Sequence, residues 1–350
     1  MNIWVLSNAP LGDDYWLYRG LIDKKSELGI KNIYKIQSNK KASEYRKYGK
    51  LGWIMVQFSQ MTLALRCIIK SKKNDIFITE SYPTGRHCAV WCTILRKKRS
   101  IFALNCLQRK KSKKIKFIDG VVDFFAWKNR KFVTSVNVQS AIEKLTIPEK
   151  IKKERKIYII PDTYLENDSK KLSEHCAKKK YDGMTGGYAN RDFSLFFDVA
   201  RKNRNMKFAC VVGSSFKKNL YIIPDNVDMY KDVTEVEFLK LMDYSKIILL
   251  PLLDDSVAGL VVLKDAIANN QPFLISNTDA VCNYVPEELR KIVLAEIGNV
   301  DNFNSQFLKI CDYEKDWKNS ALKIKNYAKR WSPQNKIEMI VNILKKEQFL

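Results

Sequence analysis

Short apolar runs alternate with amphipathic stretches along the first half of the chain. The runs predict buried strands, and the stretches between them have the three-to-four-residue spacing of helices. Strands separated by helix-length connections indicate a parallel sheet with helices on both faces. The predicted strands are 3–8, 32–36, 75–79, 100–105, 131–136 and 156–160, and the predicted helices are 14–28, 53–70, 87–96 and 137–145.

The same alternation returns in the second half. Residues 162–180 are rich in Asp, Asn, Ser, Lys and Glu, which is typical of a linker. The first helix after it has apolar residues at i, i+3, i+4 and i+7, namely Phe193, Phe196, Phe197 and Ala200. The predicted strands are 181–185, 207–212, 227–230, 246–250, 272–276 and 291–295, and the predicted helices are 191–202, 235–243 and 257–268.

Local signals mark two helix starts. Residues 234–237, Thr-Glu-Val-Glu, form a capping box, and Ser332-Pro333 is an N-cap followed by a first-turn proline. The last helix then has an apolar face. The pattern predicts an α/β protein with two Rossmann-like domains at 1–162 and 181–330, a linker at 163–180 and a tail helix at 331–350.

The charge of the chain is concentrated in its first half. Residues 1–160 contain 34 Lys and Arg against 12 Asp and Glu, a net +22, whereas residues 161–350 contain 28 against 26, a net +2. One domain is therefore expected to face an anionic partner. Nucleic acid, an anionic bilayer and a diphosphate-linked lipid all satisfy that requirement. The basic run 110–116 is predicted to be a flexible loop. Within this run, the residues expected to bind phosphates of the membrane or of the acceptor are Lys110, Lys111, Lys113 and Lys114.

Other classes of site are not indicated. The eight cysteines form no Cys-x-x-Cys pair and are expected to be reduced and buried, and His87, Cys88 and Cys92 have no partner at metal-ligand spacing. The start of the chain has the pattern of a buried strand rather than a signal peptide, and no apolar run reaches the length of a membrane span. A cytoplasmic protein is expected. The apolar helix 53–70 is either an interfacial helix or a core helix.

The first candidate site follows the strand 181–185. Gly186-Gly187 ends the strand and Asn190 is a plausible N-cap of the next helix. Glycines allow a ligand to approach the backbone, and free amides at a helix start favour phosphate. Arg191 adds a forked donor that suits a diphosphate. A plain glycine turn is the alternative.

The second candidate site follows the strand 246–250. Asp254 and Asp255 precede a helix that Ser256 can cap. Ala258 and Gly259 have too little side chain to block a phosphate. Asp265 lies further along, where a carboxylate can accept hydrogen bonds from ribose hydroxyls. The alternative is a buried helix with solvated ends.

The order of these segments resembles the GT-B glycosyltransferases, in particular the retaining group 1, or family 4, enzymes. Over 181–285 their nucleotide-binding domain has a similar series of motifs. The resembling segments are 186–192, Val211-Val212-Gly213, Asp232-Val233-Thr234 and 259–273. The first domain and the tail resemble the family at 132–136, 159–162 and 331–333. The resemblance therefore covers nearly the whole chain.

The resemblance implies two Rossmann-like domains that face each other across a cleft, with a C-terminal helix that crosses back to the first. It implies a nucleotide-sugar donor, most plausibly a UDP-sugar, with no cofactor or metal and with retained anomeric configuration. The implied donor-binding residues are Gly12, Gly187, Asn190, Arg191, Gly213, Val233, Ser256, Ala258, Gly259 and Asp265. Gly12 belongs to the loop 8–14, which would cover the donor phosphates.

The sequence departs from the family at three places. The family has two acidic residues eight positions apart. Asp265 stands at the second position, but Val257 stands at the first. Asp255 or Ser256 would therefore take the role of the first acid. Asn105 stands near the position of a frequent histidine. Phenylalanines occupy the region of the phosphate-binding lysine, for which Arg191 or Lys264 would compensate.

The expected function is transfer of a sugar to a lipid-linked glycan, as in capsule or lipopolysaccharide assembly, at the inner face of the cell membrane. Glu80 would bind acceptor hydroxyls or act as a base, with a solvated loop acid as its alternative, and Asp255 is the second catalytic candidate. A nucleic-acid-binding protein and an inactive protein of the same fold are the alternative functions. A nicotinamide-dependent oxidoreductase should have G-x-G-x-x-G after the first strand, where only Gly12 is found.

Overall fold

The computed structural model describes residues 1–7, 15–37, 49–106, 113–136, 157–164, 179–187, 189–313 and 317–350. The chain divides into two compact units, unit 1 with residues 1–162 and 333–350, and unit 2 with residues 163–332. Each unit contains a six-stranded parallel sheet with helices, so the predicted α/β class is confirmed. Of the predicted linker, 165–178 lies outside the described residues.

The two sheets are built from the apolar runs that the sequence indicates. Unit 1 has the strand order β2-β1-β3-β4-β5-β6, and unit 2 has the order β12-β11-β10-β7-β8-β9. The strands are β1 (Asn2–Ser7), β2 (Asn32–Gln37), β3 (Ile76–Thr79), β4 (Ser100–Ala103), β5 (Phe132–Val136), β6 (Ile157–Ile159), β7 (Tyr181–Gly186), β8 (Phe208–Val212), β9 (Val227–Lys231), β10 (Ser245–Leu250), β11 (Phe273–Ser276) and β12 (Leu294–Ala295).

The helices of the described residues include five regions that the sequence pattern did not predict as helical, at 113–127, 279–282, 287–293, 300–312 and 317–328. The helices are α1 (Trp16–Asp23), α2 (Gly49–Lys70), α3 (Tyr82–Ile94), α4 (Lys113–Trp127), α5 (Phe193–Lys202), α6 (Glu235–Asp243), α7 (Leu260–Ala268), α8 (Asp279–Cys282), α9 (Glu287–Val293), α10 (Val300–Asp312), α11 (Trp317–Ala328) and α12 (Pro333–Lys346).

Two of these helices correct the predictions. The predicted basic loop at 110–116 is wrong from Lys113 onward, because α4 begins there; Lys110 and Lys111 lie outside the described residues. The predicted strand 291–295 is too long, since α9 continues to Val293 and β12 has two residues. In α9, the burial of Leu289 and Val293 outweighs the β propensity of 291–295.

Unit 1 has a core on each face of its sheet. One face packs against α2, α3 and α4 through residues such as Ala64, Cys88 and Trp127. The other face packs against α1 and the tail helix α12, with Leu17 and Ile340 fully buried. The tail helix therefore completes the core of unit 1.

The predicted helix stripe of unit 2 is buried as expected. Phe196 and Phe197 of α5 pack with Phe303 and Phe307 of α10 against β8. The predicted capping box is also confirmed, because Glu237 N donates to Thr234 Oγ1 and Thr234 N donates to Glu237 Oε2.

The cysteines of the described residues are free thiols. Burial raises the pKa of Cys92 to about 12, and Cys88 beside it is fully buried. His87 Nε2 lies 3.2 Å from Gln57 Oε1. These side chains pack within the helical layer of unit 1, as structural residues do.

No helix within the described ranges is both long enough and apolar enough to cross a bilayer.

Candidate functional site

The order in which the chain adds strands to the sheet of unit 2 reverses between β7 and β10. From β7 the chain continues to β8 and β9 on one side, whereas β10, β11 and β12 lie on the other. Ligands of parallel α/β sheets bind at such a switch point, outside the carboxyl ends of the strands. The loops after β7 and β10 meet there, because Arg191 pairs with Leu252 in an antiparallel bridge. Most of the predicted donor-binding residues lie on these two loops.

Arg191 lies at this switch point and is only 6% exposed. Its guanidinium donates from Nε to Gly186 O at 2.8 Å and from Nη1 to Ala189 O at 3.3 Å. Both acceptors are neutral carbonyls, and no carboxylate of a described residue forms an ion pair with it. Burial lowers the pKa of Arg191 to about 10. A buried cation without a counter-charge is unfavourable, so this position favours binding of an anion.

Two glycines flank the guanidinium. Gly187 has φ +125° and Gly259 has φ +85°, conformations that other residues rarely adopt. A Cβ atom on Gly187 would lie 2.8 Å from Arg191 Nη2, and one on Gly259 would lie 3.4 Å from Arg191 Nη1. The absence of side chains at these glycines therefore preserves space around the guanidinium.

Asn190 joins the two loops. Its Nδ2 donates to Asp254 Oδ1 and to Ser256 Oγ, each at 2.7 Å. Ser256 Oγ also accepts a hydrogen bond from Ala258 N at 3.3 Å. The side chains of Asn190 and Ser256 are thus hydrogen-bonded to each other and hold the two loops together beside Arg191.

The predicted helix caps at these two loops are wrong. Helix α5 begins at Phe193, and its cap is Asp192, whose Oδ1 accepts Leu195 N at 2.9 Å. Asn190 instead has a φ of +54°. Helix α7 begins at Leu260 rather than 257, because Gly259 is left-handed and ends the preceding loop; Ser256 does not cap it.

Asp255, the predicted catalytic residue of this unit, lies in the loop after β10. Its Oδ1 accepts a hydrogen bond from Asp279 N, the first residue of α8, at 3.1 Å. The carboxylate therefore connects the loop to the start of α8.

Asp265 is half-buried on α7, and its carboxylate accepts no hydrogen bond from any described residue. Burial raises the pKa of Asp265 to about 6; the carboxylate of Glu235 adds to this shift and Lys264 opposes it. The proximity of Glu235, on α6, is a feature that sequence reasoning missed. Lys264 Nζ donates to Thr163 O at 3.2 Å.

The predicted base-contacting residues lie on the neighbouring strands. Gly213 follows β8, and Val233 follows β9, which is paired with β8. Asp232 N donates to Val212 O at 2.9 Å, so the two strand ends are held together. Gly213 and Val233 thus lie on the same edge of the sheet as Gly187.

Glu80 lies at the corresponding switch point of unit 1, where β1 and β3 are neighbours. Its carboxylate accepts hydrogen bonds from the hydroxyls of Ser7 and Tyr15, and its backbone carbonyl accepts one from Asn105 Nδ2 at 3.3 Å. Burial, followed by the charge of Glu80, raises the pKa of Tyr15. Glu80 is therefore a hydrogen-bonded, half-buried residue rather than a solvated loop acid. Gly12 lies outside the described residues.

Comparison with known proteins finds relatives of the fold only. No family model and no curated protein matches the sequence. A glycosyltransferase from Rickettsia africae has 12% identity and a TM-score of 0.64, and each chain is covered to 99%. A UDP-forming α,α-trehalose-phosphate synthase from Burkholderia xenovorans has 10% identity and a TM-score of 0.68, with 99% of this chain and 100% of that chain covered.

A third similar structure, HepE from Anabaena in complex with UDP, has 12% identity and a TM-score of 0.61, with 99% of this chain and 100% of that chain covered. Identities this low show the fold alone. The chain has the fold of the GT-B glycosyltransferases.

Proposed function

We propose that the protein is a glycosyltransferase that transfers a sugar from a nucleotide diphospho-sugar, and that unit 2 binds this donor. The observation that carries the proposal is the buried guanidinium of Arg191, which has no carboxylate partner among the described residues and lies between Gly187 and Gly259. A diphosphate would supply the missing negative charge through forked hydrogen bonds.

The neighbouring residues suit the rest of a nucleotide. Asp265 would accept hydrogen bonds from the ribose hydroxyls, and Gly213 and Val233 would lie beside the base. Charge develops on the diphosphate as it departs, and Arg191 together with backbone amides can stabilise it without a metal. Uridine is favoured because the similar HepE structure contains UDP and the similar synthase is UDP-forming. Retention of anomeric configuration follows from the family resemblance.

We place the acceptor on unit 1. Residues 1–160 have a net charge of +22, which suits a glycan linked to a lipid diphosphate, as in capsule or lipopolysaccharide assembly at the inner face of the cell membrane. Glu80 would contact acceptor hydroxyls, and Asp255 would contact the donor sugar. Lys110, Lys111, Lys113 and Lys114 are candidates for the acceptor or membrane phosphates.

The proposal is tested by thermal-shift measurements with UDP-, GDP- and CMP-sugars. A ligand that binds only the native state raises the melting temperature. We expect a UDP-sugar to do so and GDP- and CMP-sugars to have smaller effects. A protein that binds none of them would contradict the proposed UDP-sugar donor. Binding without any hydrolysis or transfer of the sugar would favour the alternative of an inactive protein with this fold.

Asp265→Asn is expected to weaken UDP binding by about 1.5–3 kcal/mol, the range of a charge-assisted hydrogen bond. Wild-type affinity should fall as the pH decreases through about 6, because Asp265 becomes protonated, whereas the affinity of the variant should not show this change. Calorimetry with UDP and with its 2′,3′-dideoxy analogue measures both effects. If both proteins lose the same affinity when the hydroxyls are removed, Asp265 does not bind the ribose.

The same variant is expected to be more stable than the wild type at neutral pH. The folded-state pKa of Asp265, about 6, exceeds the ordinary value of 3.8, so ionisation disfavours the folded state. The associated loss of stability develops between pH 4 and 6 as the pH rises and persists above it. Because the side chain is half-buried, solvent screening reduces the expected gain to about 1 kcal/mol. Urea unfolding at pH 5 and pH 8 should show the larger difference at pH 8.

A further inference from the structure

Helix α2 presents apolar side chains on two opposite faces. Ala64, Cys67 and Ile68 point into the core of unit 1. On the opposite face, the four apolar residues near the N-terminus of α2 follow an i, i+3, i+4, i+7 stripe and are exposed. They are Leu51 (61%), Ile54 (55%), Met55 (41%) and Phe58 (67%). An exposed stripe of this kind marks an interaction surface.

Helix α4 repeats this arrangement. Ala126 and Trp127 are buried in the same core, whereas Val121, Phe124 and Phe125 are exposed. Both α2 and α4 pack against α3 on one face of the sheet, so their exposed residues belong to one layer. We call these exposed apolar residues of the three helices the outer helical surface: Leu51, Ile54, Met55, Phe58, Ile94, Val121, Phe124 and Phe125.

The segments that form the outer helical surface are strongly basic. Residues 49–73, 82–99 and 113–131 contain sixteen Lys and Arg and only two Asp, a net +14. One of these aspartates, Asp123, is buried and hydrogen-bonded by Arg86 and Tyr82. Among the side chains that the structure describes in these segments, no carboxylate is exposed. Exposed basic residues include Arg66, Lys70, Lys72, Lys73, Arg96, Lys98, Lys128, Arg130 and Lys131.

We infer that the outer helical surface docks on an anionic lipid bilayer. Apolar side chains that project from helices lying flat on the sheet would enter the boundary between headgroups and acyl chains, and the surrounding lysines would contact lipid phosphates. Lys128 is suited to this boundary, since its Nζ lies 4.4 Å from the ring centroid of Phe124.

The charge and the side-chain types favour a bilayer over two other partners. A second copy of the chain on the same surface would bring together two sets of segments that each have a net charge of +14, and these would repel each other. A nucleic acid would attract the lysines but would leave the aliphatic stripe of Leu51, Ile54 and Met55 without a stacking partner. This inference deepens the proposed function by naming where the enzyme would meet a lipid-linked acceptor.

The test is flotation with vesicles of neutral phosphatidylcholine and with vesicles that also contain phosphatidylglycerol, in the absence of nucleotide. The wild type should bind the anionic vesicles at low salt and be released at high salt, because charge screening becomes stronger. The double variant Ile54→Ser/Phe58→Ser should bind about tenfold less tightly. The triple variant Lys70→Gln/Lys72→Gln/Lys73→Gln should bind anionic vesicles about 100-fold less tightly, since each basic residue near an anionic surface raises the affinity about fivefold.

Unit 2 supplies matched controls. Leu220 and Ile222 are 66% and 83% exposed, so Leu220→Ser/Ile222→Ser removes comparable apolar surface and should leave vesicle binding unchanged. Lys217→Gln/Lys218→Gln/Lys309→Gln removes the same charge and should lower binding much less than the unit 1 triple variant.

The inference would be overturned by equal losses in the unit 1 variants and their controls, by a wild type that binds neither kind of vesicle, or by a dimer that Ile54→Ser/Phe58→Ser converts to a monomer. Salt-sensitive RNA binding by this surface, without vesicle binding, would also overturn it. UDP affinity, measured separately, should be unchanged in all of these variants. Failure of donor binding therefore remains distinguishable from failure of bilayer docking.

Discussion

Replacing Arg191 with alanine is expected to weaken UDP binding by about 100-fold, equivalent to about 2.8 kcal/mol. The guanidinium is buried, and the described residues supply only two carbonyl acceptors for it. Charge-assisted hydrogen bonds to a diphosphate contribute about 1.5–3 kcal/mol each. Calorimetric titration of UDP, and of uridine without phosphates, measures the loss. Uridine affinity should change much less, because Arg191 is expected to contact the phosphates.

The ligand-free Arg191→Ala protein should melt no lower than the wild type. Removing a buried cation that has no counter-charge among the described residues relieves a desolvation cost, which offsets the loss of two hydrogen bonds. Arg201→Ala is the matched control, since Arg201 is an exposed arginine on α5 that bonds Asp198. The control should retain UDP affinity. An unchanged affinity in Arg191→Ala would contradict the proposed diphosphate site.

Ile340→Ala is expected to destabilise the protein by about 2–5 kcal/mol, the usual cost of truncating a fully buried aliphatic side chain. Ile340 belongs to α12 and is 0% exposed in the core that α12 forms with α1 and the sheet of unit 1. Deleting 333–350 should have a larger effect. It removes six buried side chains from that core, and the free energy that their burial contributes is comparable with the stability of a whole domain.

Urea unfolding measures the effect of Ile340→Ala, and limited proteolysis shows whether unit 1 of the shortened protein is cut. Leu322→Ala is the control, because Leu322 is 58% exposed on α11 and its truncation should cost less than about 0.5 kcal/mol. A shortened protein in which unit 1 resists protease as well as the wild type does would contradict the assignment of α12 to the core of unit 1.

The segment 53–70 illustrates a question that the sequence left open. Its apolar content is compatible with a core helix and with an interfacial helix, since both need apolar residues. The structure assigns the core role to Ala64, Cys67 and Ile68, and it leaves Ile54 and Phe58 exposed on the opposite face. Composition could not separate the two faces because their orientation depends on where the sheet and α3 lie.

The sequence by itself determined most of the strands and the capping box of α6. A strand in a parallel sheet is buried on both faces, so its continuous apolar run, as in 247–250, identifies it without knowledge of its partners. The capping box at Thr234 and Glu237 was equally predictable, because both of its hydrogen bonds join residues three positions apart. The glycines and Arg191 after β7 were identified as candidates for the same local reason.

Only the tertiary structure decided what surrounds those candidates. Asp192 rather than Asn190 caps α5, because the bridge between Arg191 and Leu252 draws Asn190 to Asp254, 64 positions away. That no carboxylate among the described residues pairs with Arg191 is likewise a property of the folded loops. Glu80 bonds Ser7, 73 positions away, because the topology places β1 beside β3. Such contacts depend on strand order, which the spacing of residues along a single chain does not specify.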